Sequence, residues 1–396
     1  MHSRITQTIL TLQQLKLNDK TIETILQISD SPSIDSKNLF ELCNNNAEIF
    51  TGKIILPTSD SLNQSWNIAQ DIIQSSIQNN VEIFSKFDTE FPALLKEIPD
   101  SPLLLHVKGN TSILNDTCIA VVGTRNPTSF GEGKAFEVGE ALANEGYTIV
   151  SGLATGVDAA AHTGALNANG HTIAVLAHGL QMIYPAANKA LAQKILEKKG
   201  ALVSEYPWYA TLEPWKLVQR DRIQSGLSLG VFVIETGIKG GTMHTVDFCI
   251  KQNRLLIVLQ HPPEWDRDTK IWGNKELIKK FENSKNFVVY RENSDYLQVS
   301  DWITGIKQDA SKSPAIHCYP NVVESSDLIR HMVQEPVSGP DYAGGDAPDM
   351  KSSEPNPIVM DSQNKKTVEG KPKKPAKRQA KGKGKPGEIP KDQTTF

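Results

Sequence analysis

The sequence predicts an α/β protein built on a doubly wound, mostly parallel sheet, preceded by a small helical region and followed by a disordered tail. Three observations carry this. Short apolar runs recur at 118–122 (CIAVV), 147–151 (YTIVS), 172–176 (TIAVL), 201–204 (ALVS), 230–234 (GVFVI) and 255–259 (LLIVL). Helix-forming stretches such as GKAFEVGEALANEG, VDAAAHTGALNANG and NKALAQKILEKKG separate most of them. Several runs close on glycine-rich turns. Strand and helix in alternation give parallel strands covered on both faces, with ligands received at the strands' carboxyl ends.

The elements follow in order. Residues 1–80 read as a helical region, because ILTLQQLKLNDKTIETILQI spaces Leu and Ile at helical intervals, with Asn18-Asp19 as a break and cap. Residues 81–110, punctuated by Pro92, Pro99 and Pro102, read as a lead-in strand and loop that opens a domain running to 292. Beyond Tyr290 the pattern fades into an acidic, weakly ordered linker, 293–364, rich in Ser, Pro, Asp and Gly. The tail, 365–396, lacks core-forming residues and is expected to be disordered.

Charge sharpens this division. The formal total is −3, but residues 365–396 hold 11 Lys/Arg against 3 Asp/Glu, a net of +8, which leaves −11 on residues 1–364. An acidic body excludes broad, nonspecific coating of DNA, so an anion site there must be a local groove or pocket. The basic tail suits nucleic acid or an acidic partner. No run of 18 apolar residues exists, and MHSRITQTILTLQQLK lacks the continuous apolar segment of a signal peptide; a cytoplasmic protein without membrane contact is expected. Cys43, Cys118, Cys249 and Cys318 form no Cys-x-x-Cys pair and read as reduced thiols. No metal site or cofactor is expected.

The loops carry the chemistry. After the first parallel strand, Gly123 permits a tight turn, Thr124 offers a hydroxyl and Arg125 a forked phosphate donor, while Gly131-Glu132-Gly133 opens a helix whose amides would face an anion. In SGLATGVDAAAH, Ser151, Gly152 and Gly156 allow close backbone approach, and Asp158 and His162 read as a capping carboxylate and a packed histidine. ETGIKGGTMHT sets Glu235 at a strand tip and Gly240, Gly241 and Thr242 at a helix start. LAHGLQMIYPAANKAL adds Asn188 and Lys189, and SEYP adds Glu205. In QRDRIQSGLS, Arg220 and Arg222 share a face if the segment is extended, as contacts to successive phosphates require. Phe130, Tyr184 and Trp208 lie near enough to stack on bases, or to pack inside.

The ordered series VVGTRNPTSFG, IVSGLATGVDAAAH, TIAVLAHGLQMIYPAAN, LVSEYP, RDRIQSGLS, GVFVIET and GGTMHTV resembles the DNA-processing protein A family, DprA or Smf, over about residues 81–262. The resemblance implies an extended Rossmann-like domain, not an enzyme, that binds single-stranded DNA, forms homodimers and helps load a RecA-type recombinase in natural transformation. Gly123, Thr124, Arg125, Ser151, Gly152, Asn188, Lys189, Arg220, Arg222, Gly240, Gly241 and Thr242 fall on or beside the implied phosphate-facing loops. The chain also departs from the family: Thr155 replaces a cation, Asp221 replaces an asparagine between the arginines, GGTM stands for SGSL and AHGLQ for GCGLD. Such changes weaken DNA affinity or alter the ligand.

Two other readings stay open. A sensor of a free nucleotide or nucleotide signal, regulating a partner in antiphage defence, fits the acidic body and Thr155. A nucleotide phosphoribohydrolase of the lysine-decarboxylase-like LOG type is less favoured: KGGTMHTVD resembles that family's PGGxGTxxE loop, but Lys239 replaces the proline and Val246 the glutamate.

Overall fold

The computed structural model describes residues 4–29, 34–50 and 55–291. The expected linker and basic tail, with Cys318, lie outside the described residues. Four helices come first: α1 (Arg4–Gln14), α2 (Asp19–Ile28), α3 (Ser36–Asn45) and α4 (Ser59–Gln78). Polar caps start three of them: Asn18, Asp35 and Thr58 each accept the backbone N–H three residues on, which satisfies a donor the helix itself leaves open. Their apolar stripes meet in a core of Ile9, Leu12, Ile22, Ile25, Leu39, Leu62 and Ile72. That core continues onto the sheet through Ile83, Leu103 and Leu104.

The sheet takes nine strands from the described residues: β1 (Val81–Ser85), β2 (Leu104–Gly109), β3 (Cys118–Val122), β4 (Thr148–Ser151), β5 (Thr172–Val175), β6 (Ala201–Ser204), β7 (Gly230–Val233), β8 (Leu255–Leu259) and β9 (Phe287–Tyr290). All six apolar runs are strands, three of them one residue shorter than expected. The lead-in supplies two strands rather than one, with the short helix α5 (Ala93–Lys96) between them, and β2 pairs antiparallel with both β1 and β6. Every other pairing is parallel.

Strand order is β1-β2-β6-β5-β4-β3-β7-β8-β9. From β3 the chain steps outward through β4, β5 and β6, then returns to lay β7, β8 and β9 on the other side of β3. The direction of winding therefore reverses between β3 and β7, and a crevice opens there beyond the strands' carboxyl ends. Side chains alternate across the sheet. Ile119 and Val121 of β3 pack with Val138 and Leu142 of α6 (Ser129–Asn144) and Ala161 and Ala165 of α7 (Val157–Asn167). Ala120 and Val122 point the other way, towards Ile223 of α9 (Pro214–Gly226), Val246 of α10 (Thr242–Lys251) and Leu277 of α11 (Trp272–Phe281). On the first face α8 (Lys189–Glu197) packs beside β5 and β6. Among the described residues no helix is long and apolar enough to cross a membrane.

Candidate nucleic-acid interface

Every parallel strand ends at the same edge, so the loops after β3, β4, β5, β6 and β7 share one surface. Hydrogen bonds join them laterally. Thr124 N donates to Glu235 O at 2.8 Å, linking the β3 and β7 loops, and Val157 N donates to Thr124 O at 3.2 Å, linking β3 to β4. Asn188 Nδ2 donates to Leu153 O at 2.8 Å, joining β5 to β4, and Gly179 N donates to Ala210 O at 2.8 Å, joining β5 to β6. The edge is thus a framed platform rather than a set of independent loops.

Arginine placement corrects the expectation from sequence. Arg220 and Arg222 lie in helix α9, not in extended chain, and both are buried. Two residues apart on a helix, they point in different directions. Arg220 Nη1 donates to Gly152 O at 2.8 Å and to Val175 O at 2.6 Å, clasping the ends of β4 and β5. A Cβ at Gly152 would meet the Arg220 guanidinium, so a larger residue there would push that group off the two carbonyls it holds. Arg222 grips both oxygens of Glu205, at 2.6 and 3.1 Å, and donates to Asp100 O at 3.0 Å. These contacts make both arginines parts of the frame.

The amides expected to be open at the start of α6 are also engaged. Gly131 N donates to the Thr128 hydroxyl at 3.0 Å. Gly152 N and Ala154 N donate to Asp158 Oδ2 at 3.1 and 3.3 Å, so Asp158, in the first turn of α7, ties down the preceding loop rather than capping the helix, whose N-cap is Gly156 without a side-chain bond. Ser151 is fully buried, its hydroxyl donating to Val121 O at 2.7 Å. His162 is sealed inside with Nδ1 2.6 Å from the Thr172 hydroxyl, and burial holds it neutral, its pKa lowered to about 3.

Facing solvent are Arg125, Lys189 and Gly241, with Gly123, Thr124, Asn188 and Gly240 half-buried beside them and Thr242 buried. Helix α10 starts after Gly241 without a side-chain cap; Met243 N and His244 N donate instead to Gly240 O and Gly241 O, at 3.0 and 3.1 Å. Thr155 donates its hydroxyl to Arg125 O at 3.3 Å and so braces the Arg125 loop.

The aromatic expectations divide. Phe130 turns inward, 5.4 Å from the His261 ring and stacked on Trp265 at 6.2 Å. Trp208 is half-buried under the Lys108 ammonium, 5.1 Å away, and Tyr184 is half-buried. Sequence reasoning missed Tyr209 and Trp215, which are 44% and 54% exposed around the start of α9. The signal was present in PWYATLEPW, an aromatic-rich connection between a strand and a helix.

Asp221 sits between Arg220 Nε at 3.1 Å and Gln224 Nε2 at 2.9 Å. Burial raises its pKa from 3.8 to about 6, with Arg220 pulling the other way. The folded chain therefore holds this proton more tightly than the unfolded chain does, and the group's contribution to stability falls as pH rises from about 4 to about 6. Asp221→Asn keeps an Oδ1 acceptor without the charge. Its melting temperature relative to the unsubstituted chain is expected to improve as pH rises through that window and to level off above it; a pH-independent difference in thermal melts counts against the buried charge.

Residues 82–288, more than half of the chain, match the model of a family described as DNA recombination-mediator protein A. Protein Smf of Escherichia coli (strain K12) is 41% identical over 176 residues, 44% of this chain and 47% of that protein. DNA processing protein DprA of Bacillus subtilis (strain 168) is 38% identical over 177 residues, 44% of this chain and 58% of that protein. The matches thus span about half the length of these curated relatives. The X-ray structure of DNA processing protein A (DprA) from Streptococcus pneumoniae aligns with a TM-score of 0.61 at 27% identity, over 74% of this chain and 97% of that one.

Proposed function

Because the chain belongs to the DNA recombination-mediator protein A family, we propose that it binds single-stranded DNA along the carboxyl edge of its sheet and acts in DNA processing and recombination. The observation that carries this reading is a pair of solvent-facing cations, Arg125 and Lys189, on the same edge as the exposed rings of Tyr209 and Trp215. Cations that follow a backbone and aromatic faces that take bases of any sequence are what single-strand binding requires. The reading is of a binding protein rather than an enzyme: Asp158, Glu205, Asp221 and Glu235 are each engaged in holding the frame. A homodimer and a RecA-type recombinase partner belong to the same proposal. Sedimentation of the full chain tests the first, and recombinase filament assembly on the protein–DNA complex tests the second.

Length dependence separates this reading from the nucleotide sensor. Affinity is expected to rise with oligonucleotide length until the row of donors is occupied, while mononucleotides compete poorly. Parallel competition titrations with mono-, di- and longer oligonucleotides measure it. Tight, saturable binding of a mononucleotide with no gain from length overturns the DNA reading.

A further inference from the structure

In a Rossmann-type sheet the crevice where winding reverses is the place for a nucleotide's phosphate, held at the start of the helix that follows the first strand. Here that crevice lies between β3 and β7, and the helix is α6. It already contains an anion. Glu235, which follows β7, is completely buried; its Oε1 accepts from Thr128 N at 2.9 Å and its Oε2 from the Thr128 hydroxyl at 2.7 Å. His261, from beyond β8, brings Nε2 to 3.3 Å of Oε2. The fit leaves no slack: a Cβ on Gly131 would collide with that same carboxylate oxygen. Phe130 and Trp265 stack on the outer side, with Phe130 tilted against the His261 ring.

We propose that Glu235 determines which phosphates the chain accepts: its carboxylate occupies the switch-point phosphate position and excludes free nucleotides from it, confining phosphate contacts to the outer row that includes Arg125 and Lys189. The physical reason is twofold. A phosphate entering the crevice would have to displace hydrogen bonds already made to a buried charge, and would meet like charge at close range. Chain-linked phosphates lying on the surface meet neither obstacle. The inference deepens the DNA reading and rests on it for the outer row, but the exclusion itself is measured without DNA.

Glu235→Ala removes the internal anion and leaves the Thr128 donors and His261 lining a vacant position. Inorganic phosphate at 10 mM, a concentration of about ten times a millimolar dissociation constant, is expected to raise the melting temperature of Glu235→Ala by about 3 °C or more and to leave the unsubstituted chain unmoved relative to chloride of equal ionic strength. Oligonucleotide affinity is expected to stay within about twofold, since the outer row is untouched. Equal phosphate responses in the two chains overturn the proposal. Should the alanine variant fail to fold, the unsubstituted chain decides alone: an ADP-induced shift of the Thr128 or Gly131 amide resonance shows the position to be open and refutes the exclusion, and unchanged resonances under saturating ADP support it. Loss of oligonucleotide binding in the unsubstituted chain would instead refute the DNA reading and leave the phosphate result standing.

Discussion

Replacing Arg222 with alanine is expected to lower the stability of the chain by about 3–5 kcal/mol, a fall in melting temperature on the order of 10 °C. The guanidinium is the counter-charge of Glu205, gripping it through two hydrogen bonds, and both side chains are largely enclosed, at 6% and 14% exposure. Truncation strands a mostly buried carboxylate and removes the donor to Asp100 O. Arg222→Lys is expected to recover only part of the loss, because an ammonium cannot reproduce the planar fork. Thermal unfolding followed by circular dichroism makes the measurement. A direct phosphate contact predicts a different result: a variant that melts within about 2 °C of the unsubstituted chain yet binds oligonucleotide at least tenfold more weakly, roughly what one lost charge-assisted contact costs. That outcome would return Arg222 from the frame to the interface.

Arg125→Ala is expected to do the opposite, weakening single-stranded DNA binding by about 1.5–3 kcal/mol, tenfold or more, whatever the base sequence, with little change in melting temperature. Arg125 is exposed, and its loop is held by backbone contacts the side chain does not make: Thr155 donates to Arg125 O, and Thr124 bonds on both sides to Glu235 and Val157. The salt dependence should fall as well, by about 0.7 in the slope of log affinity against log salt for one phosphate contact on a single strand. Trp215→Ala is expected to weaken binding by about 1–3 kcal/mol with no change in that slope, because a stacked ring releases no counterion. Fluorescence anisotropy at several salt concentrations reads both quantities. Equal loss of slope in the two variants would mean that Trp215 acts by positioning a cation rather than by stacking.

What the sequence determined by itself was whatever depends on neighbours along the chain. The parallel strands were legible because CIAVV and LLIVL are apolar at every position and their counterparts at most, as strands covered on both faces require. The break at Asn18 was legible because a cap acts over three residues; a structural role for Asp158 was legible too, though it holds the loop amides of Gly152 and Ala154 rather than the helix start. Arg125 at the end of β3 could be assigned to the edge because a turn at Gly123 leaves it nowhere else to go.

The tertiary structure decided how each charge is used. Arg220 and Arg222 carry the same side chain as Arg125, yet their partners are Gly152, Val175, Glu205 and Asp100, at separations of 68, 45, 17 and 122 residues. Glu235 meets Thr128 across 107 residues. No local pattern encodes such pairings, because they arise only when the strand order sets β7 beside β3 and lays α9 against the ends of β4 and β5. A buried charge must find an opposite charge or a hydrogen-bonding group, and an exposed one need not. Whether a given arginine ends up inside or outside is therefore decided by the packing of the whole sheet, and that packing set Arg220 and Arg222 in the frame and left Arg125 at its surface.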